Sequence, residues 1–273
     1  MAPLDGRARA GALLLAVVLA AALVGPSLLA SDPLAQDLAA RHQGPGPANW
    51  LGTDSLGRDV LSRLVAGTRV TLAVATGATL VALVLGAGGA LLALALGRVT
   101  EAVVFGVVDL IRAMPSILLA LVLMIALGVG TPALVTALGL AYAPFFARIA
   151  RAAYRREQAS GYVDAAWTMG ASRVATLRRH VLPNVAGALI TQAAIVLPRA
   201  ITSEAVLSFF GLGAEPSMPT WGRMISDAIP FVERSPLLLA VPVLALTLTT
   251  LAAILLGDWL RRALDPLAEL RLS

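Results

Sequence analysis

Four long stretches of this chain carry no charge at all. Residues 10–31, 70–97, 113–147 and 235–257 run for 22, 28, 35 and 23 residues without Asp, Glu, Lys or Arg. A helix needs about 20 mostly apolar residues to cross the ~30 Å hydrocarbon core of a bilayer, so each run is long enough. The third run exceeds one comfortable span, and Gly128-Val-Gly130-Thr-Pro132 divides it, so it reads as two helices joined by a tight turn. One more apolar stretch, 181–210, is interrupted by Arg199 and Glu204. Only 14% of the residues are charged and the mean hydropathy is +0.84, against roughly 25% charged in a soluble domain. The expectation is an all-α polytopic membrane protein with six transmembrane helices. A first span over 10–31 precedes an outer segment, 32–69. A five-helix core, 70–258, follows, and a tail, 259–273, closes the chain.

The chain lacks cysteine, so neither disulfides nor thiolate metal sites enter. It also lacks lysine: all 21 cations are arginine, a bias that genomic composition accounts for. A phosphate-binding loop of the G-x-x-x-x-G-K-[ST] kind requires lysine, so any ATP-derived energy must come from a partner. The two histidines, His42 and His180, stand apart with no H-E-x-x-H, and no metal site or cofactor is expected. Arg7 and Arg9 ahead of the first run resemble a signal peptide. The cleavage site is poor, because Leu28 precedes Ala30 at the critical spacing, so this run is expected to remain as a first helix.

Six spans put both termini on one side. Thirteen arginines then fall on the terminal side, six on the other, and Arg112 and Arg199 within spans. The positive-inside rule assigns the termini and the loop 148–183 to the cytoplasm of a prokaryotic cell membrane. Arginines spread along membrane boundaries argue against a nucleic-acid partner.

That loop is the one polar insertion in the greasy half of the chain. Residues 162–169 suit a short helix, with small Ala165 and Ala166 on it, and Gly170 sits where a tight break needs positive φ. A second helix is expected to start near Ala171-Ser172 and to end by Leu182, before Pro183. Val174, Leu177 and Val181 give it one apolar face. By physics alone, this hairpin is either an interfacial loop lying on headgroups or a docking element for a protein. His180 is expected to cap its last turn.

Here the pattern D-A-A-x-x-x-G-(x9)-H-x-L-P, over Asp164, Ala165, Ala166, Gly170, His180 and Pro183, resembles the "EAA" loop of ABC-importer permeases, with Asp164 in place of the usual glutamate. Leu51-Gly-Thr-Asp54-Ser-Leu-Gly57-Arg58-Asp59 with Ser62-Arg63 resembles the G-T-D-x-x-G-R-D-x-x-S-R segment of peptide and nickel permeases. Glu204-Ala-Val-Leu-Ser-Phe-Phe-Gly211-Leu-Gly213, Trp221-Gly222-Arg-Met and Gly257-Asp258-Trp-Leu-Arg261-Arg262-Ala-Leu-Asp265-Pro266 follow in the family's order, with Arg262 replacing an aspartate. The resemblance is to the C-type permease subunit of dipeptide, oligopeptide and nickel ABC importers, of type I permease fold. It implies half of a translocation pore, a homologous B-type permease as the other half, two cytoplasmic ABC ATPases docked on the hairpins, and an extracytoplasmic solute-binding protein. Transport would proceed by alternating access, without catalysis by this chain.

Other polar residues carry two readings each. Asp54, Arg58 and Asp59 either cap turns and the next helix or form a ledge that meets the binding protein. Asp109 and Arg112, three apart in the third span ahead of Pro115, form a structural ion pair or help close the pathway. Arg199 and Glu204, with Gln192 and Thr202 nearby, line the pathway or join helices. Trp221 reads as an interface anchor, and Gly77, Gly86, Gly88 and Gly89 as close-packing faces. A secondary carrier would be expected to show internal repeats and a midplane coupling site, and an intramembrane enzyme a nucleophile–base or carboxylate set. Neither pattern appears in this sequence.

Overall fold

The computed structural model describes residues 5–28, 31–159, 161, 169–170 and 172–264. Among them the architecture is all-α, with only a lone bridge between Thr53 and Asp59. The helices are α1 (Gly6–Leu28), α2 (Val60–Ala82), α3 (Gly89–Leu96), α4 (Arg98–Arg112), α5 (Ser116–Leu127), α6 (Thr131–Gln158), α7 (Arg173–Thr176), α8 (Leu182–Phe209), α9 (Trp221–Ala228) and α10 (Pro236–Ala263). A π-turn, Leu83–Gly88, joins α2 to α3, and a second, Leu177–Val181, joins α7 to α8.

Among the described residues, five helices are long and apolar enough to cross a membrane: Gly6–Gly25, Val60–Leu96, Thr131–Gln158, Leu182–Phe209 and Pro236–Ala263. The sixth differs from expectation. α5 has 12 residues, about 18 Å, and reaches span length only together with α4, from which it bends by 97°. Pro115 causes the break, because its ring pushes the preceding residue out of the α region. α4 is amphipathic. Val99, Val103, Val107 and Leu110 are exposed along one face, while Glu101 and Asp109 reach arginines on α6.

The bundle has two distinct ends. At one, Arg262 of α10 pairs with Asp5 at 2.9 Å, beside the start of α1. The connection between α6 and α8 lies at this Arg262 end, where the Asn184 amide donates to Glu157 at 3.1 Å. At the other, Trp221 is 1% exposed among Val60, Met224, Ala228 and Leu238, and its indole N–H donates to the Leu64 carbonyl at 3.2 Å. Trp221 is therefore a packed core residue and not a headgroup anchor.

α6 is the centre of the core, with Leu134, Leu138, Tyr142, Phe146 and Ala150 all buried. α2 and its π-turn approach it backbone to backbone. A Cβ on Gly86 would lie 2.1 Å from the Ala143 carbonyl oxygen, and one on Gly139 would lie 2.4 Å from Val81. Gly77 also meets α6, at Val135, whereas Gly88 and Gly89 face open space, so only part of the expected small-residue face is used.

Pro183 does not stop a helix. The chain stays helical through it, because the wider π-turn just before it absorbs the missing N–H and the ring's clash. Within that segment Val181 is buried and Leu177 half-buried against the core, as the apolar periodicity predicts.

α6 has no cap from its own N-terminal residues. Glu215, from the loop after α8, accepts from the Thr131 hydroxyl at 2.8 Å and the Thr131 N–H at 3.3 Å. Its own backbone N–H, and then these two groups, hold its carboxyl below the usual range. A lowered folded value means stability that is present above the ordinary carboxylate range and lost as pH falls through the lowered one. Glu215→Gln should therefore lower stability at pH 7 by about 1 kcal/mol, the scale of a lost helix cap, with the difference from the parent shrinking below pH 4. Thermal unfolding in detergent across that pH range measures it.

Candidate functional site

A groove with one polar wall begins with a proline. Pro198 lies inside α8 and has no N–H, so the Ala194 carbonyl loses its helical donor. Gly257 of α10 comes up against that carbonyl: a Cβ there would sit 2.9 Å from the oxygen. The Thr202 hydroxyl donates to the Pro198 carbonyl at 3.0 Å. The following residue, Arg199, is exposed to a groove of about 590 Å³ between α5, α6, α8 and α10. Tyr142, Thr202, Ser203, Ser116 and Asp258 add its polar wall, and Phe145, Ile195 and Ile254 its apolar wall.

The geometry there is specific. The Tyr142 hydroxyl lies 2.7 Å from Ser203 Oγ and donates to the Arg199 carbonyl at 3.3 Å. The Arg199 guanidinium lies 5.7 Å from the Phe145 ring centroid. Among the described residues no carboxylate comes within 4.0 Å of it. Ser116 opens α5, whose first turn has no side-chain cap. Arg199, Thr202 and Ser203 recur at i, i+3 and i+4, so they share one helix face, a pattern visible in the sequence. Tyr142 and Asp258 come from other helices and only the fold brings them in.

Glu204 and Gln192 lie elsewhere. Glu204 is five residues from Arg199, about 140° around the helix, and is fully buried. Ser208 donates to it at 2.6 Å, and its second oxygen is turned toward the buried Thr71 hydroxyl of α2 without a hydrogen bond of normal geometry. Gln192 is buried in the bundle. Neither lines the groove.

Asp109 and Arg112 do not pair. Asp109 reaches across to Arg148 of α6 at 2.9 Å, both side chains being exposed, and Arg112 sits in the last turn of α4, where its charge suits the helix dipole. Glu101, not singled out from sequence, is the stronger anchor. It pairs with Arg151 at 2.5 Å and Arg155 at 2.7 Å, and Arg151 lies 4.1 Å from the Phe105 ring centroid.

At the Trp221 end, Asp54, Arg58 and Asp59 are turned inward. Asp54 accepts from the Leu56 and Arg58 amides and pairs with Arg58 Nε at 2.7 Å and Arg63 Nε at 3.4 Å. Asp227 of α9 completes the cluster, 3.5 Å from Arg63 and 3.6 Å from Arg58. Asp59 caps α2 through Ser62 at 2.8 Å. Two cations and two anions thus fasten the outer segment to α9.

Of the hairpin residues, Asp164, Ala165 and Ala166 lie outside the described residues, as does the side chain of His180. The His180 backbone belongs to the π-turn and not to a helix end. Gly170 has φ +84°, the left-handed conformation its position calls for. Pro183 is exposed at the start of α8.

A bundle of span-length apolar helices, with a groove that holds an arginine in its wall and with charge clusters toward both ends, is the architecture of a membrane-embedded protein. Residues 82–269 match the family described as "Binding-protein-dependent transport system inner membrane component", and the chain belongs to that family. It is 45% identical over 227 residues to the dipeptide transport system permease protein DppC of Escherichia coli K12, covering 82% of this chain and 75% of that protein. It is 39% identical over 250 residues to a probable peptide ABC transporter permease protein, y4tQ, of Sinorhizobium fredii, covering 92% and 85%. It is 36% identical over 225 residues to the glutathione transport system permease protein GsiD of Pectobacterium atrosepticum, covering 82% and 75%. Its fold is similar to the MetNI methionine ABC transporter in an inward-facing conformation, with a TM-score of 0.61 and 23% identity over 74% of this chain and 96% of that one. The chain is thus a permease of the ABC importer type.

The Asp54–Arg58–Arg63–Asp227 cluster makes a direct prediction. The Arg63 side chain is 3% exposed, so removing its charge leaves the largely buried Asp54 carboxylate undercompensated. Arg63→Gln should destabilise the protein by about 3 kcal/mol or more, and Asp227→Asn by less, because Asp227 is 42% exposed. Chemical denaturation in detergent micelles gives both numbers.

Proposed function

We propose that this chain is the permease subunit of an ATP-driven importer for di- or oligopeptides. It would form half of the pore, with a homologous B-type permease as the other half. Two cytoplasmic ATPases would supply the energy, and an extracytoplasmic binding protein would deliver the solute. The relatives named for dipeptide and peptide transport support the substrate class. The GsiD relative supports glutathione, itself a peptide, as a second reading. A nickel chelate is the remaining alternative within the same family.

The observation that carries the mechanism is a connection. α6 and α8 together build the Arg199–Tyr142 wall of the groove, and they are also the two helices that flank the 159–181 loop. A push on that loop therefore reaches the groove through two rigid helices. The hairpin is the element on which ATP-bound and nucleotide-free partners would exert different contacts, the requirement for shifting a two-state equilibrium. Of the proposed pathway residues, Arg199 has the geometry for direct contact with the solute. Asp109 and Arg112 sit near the Arg262 end, where they would act on closure. Gln192 and Glu204 would act through helix packing. The proposed contact of Asp54, Arg58 and Asp59 with the binding protein is indirect, through the shape of the segment they hold.

Uptake of labelled dipeptide into vesicles holding the full complex should require ATP on the cytoplasmic side. Uptake by this chain alone, driven by an ion gradient, would overturn the reading. In the same vesicles Gly170→Asp should insert normally but lose ATPase coupling, since any L side chain is strained at φ +84°. Normal transport by that variant would remove the hairpin from the mechanism.

The proposed orientation has the termini and the Arg262 end in the cytoplasm. The cysteine-free background allows a simple check. With Trp50→Cys, which replaces an exposed residue, a membrane-impermeant maleimide should label intact spheroplasts. With Ala159→Cys it should label only after permeabilisation. The reverse pattern inverts the topology.

A further inference from the structure

We propose that the groove reads the two charged ends of a peptide in transit, with Arg199 receiving the carboxylate and Asp258 the ammonium. This rests on the reading of the chain as a peptide permease and adds a subsite to it. A cation midway along a membrane helix is costly unless it meets an anion, water or a carbonyl. Arg199 is exposed in the groove with no carboxylate within 4.0 Å among the described residues. The uncapped amino end of α5, at Ser116, stands in the same wall and adds positive potential. The Tyr142–Ser203 pair and Thr202 supply hydroxyls beside it. That corner of the groove favours an anionic oxygen.

The other end of the groove has the opposite character. Asp258 lines it, and its only ion pair among the described residues is with Arg261 at 4.0 Å, a long contact between two exposed side chains. Such a pair contributes little and yields readily to a better cation. The register between the helices gives the spacing. α8 and α10 run in opposite directions, and Gly257 abuts Ala194. Arg199 lies five residues beyond Ala194 toward the Trp221 end, and Asp258 one residue beyond Gly257 toward the Arg262 end. Six helical rises set the two residues about 9 Å apart along the bundle axis. The charged ends of an extended dipeptide are about 7 Å apart, at roughly 3.5 Å per residue, so two flexible side chains can meet both.

The volume, about 590 Å³, is ordinary for a small-molecule site. Between the two charges the wall is Phe145, Ala194, Ile195 and Ile254. These offer apolar surface and no hydrogen-bonding code, so varied peptide side chains are tolerated while the termini are read.

The test is a cycle on the complete complex in proteoliposomes, with binding protein saturated by solute. Uptake of Ala-Ala is compared with Ala-Ala amide in the parent and in Arg199→Gln, and with N-acetyl-Ala-Ala in the parent and in Asp258→Asn. Discrimination by the binding protein is common to parent and variant, and cancels in the ratio. The parent's preference for the free carboxylate should fall about tenfold in Arg199→Gln and be largely restored in Arg199→Lys. The preference for the free ammonium should fall similarly in Asp258→Asn. Ratios near one in both cycles overturn the proposal while leaving peptide transport intact. ATP-dependent uptake of no peptide by the parent complex would instead remove the reading beneath it. The two variants probe opposite ends of one ligand, so failure of either to assemble leaves the other cycle decisive.

Discussion

In hydrocarbon, every backbone N–H and C=O must find its partner within the protein, and the rest of this structure follows from that requirement. Helices satisfy it locally, which is why the described residues contain no strand. Three departures from regular helix show how the fold accommodates it. The π-turn at Leu83–Gly88 lies against α6, with Gly86 on the Ala143 carbonyl. Pro198 frees the Ala194 carbonyl where Gly257 covers it. The break at Pro115 opens beside a groove that already carries polar groups. Irregular backbone and polar groups therefore coincide: the proline within α8 directly precedes Arg199, which is exposed in the groove.

Two clusters of charges, one toward each end of the bundle, are engaged within themselves. Asp54, Arg58, Arg63 and Asp227 fasten the Trp221 end, while Glu101, Asp109 and three arginines fasten α4 to α6 near the other. Arg199 stands apart from both sets. A structural role would have supplied it with a carboxylate, as it did for Arg63. Its isolation is the reason to look for its counter-charge in a transported molecule.

Much of the architecture was legible in residue order, because crossing a bilayer demands length and apolarity, and both are read directly. Helices appear within about six residues of the charge-free runs 10–31 and 235–257, and within one residue of the apolar stretch 181–210 that Arg199 and Glu204 interrupt. The bend of the third span is not legible, because hydropathy reports composition and not direction. Residues 113–127 are apolar yet form only a short helix, while the charged stretch before them is itself amphipathic. Partnerships across the fold were equally hidden. Asp109 has a neighbour at the helical spacing in Arg112, but Arg148, 39 residues away, lies closer in space. Trp221 has the chemistry of an interface anchor and is buried only because α2 and α10 close over it. Arg199 stands out in the sequence as a charge within an apolar stretch, whereas its neighbour in the groove, Asp258, on a different helix, needed the α8–α10 register. The family motifs were legible throughout, and the family match bears out their common origin.

The contact between Gly86 and Ala143 has a mechanical consequence. Where two backbones touch, there is no layer of side chains to deform, and a slide of one residue would drive a Cβ into a carbonyl oxygen. α2 and α6 are thereby locked in register and must travel as a single beam. Any rocking of the pore has to be taken up elsewhere, at seams with slack: the elbow at Pro115, and the open groove where α8 faces α10. Stiffness in one half of the bundle thus selects where the other half is free to move.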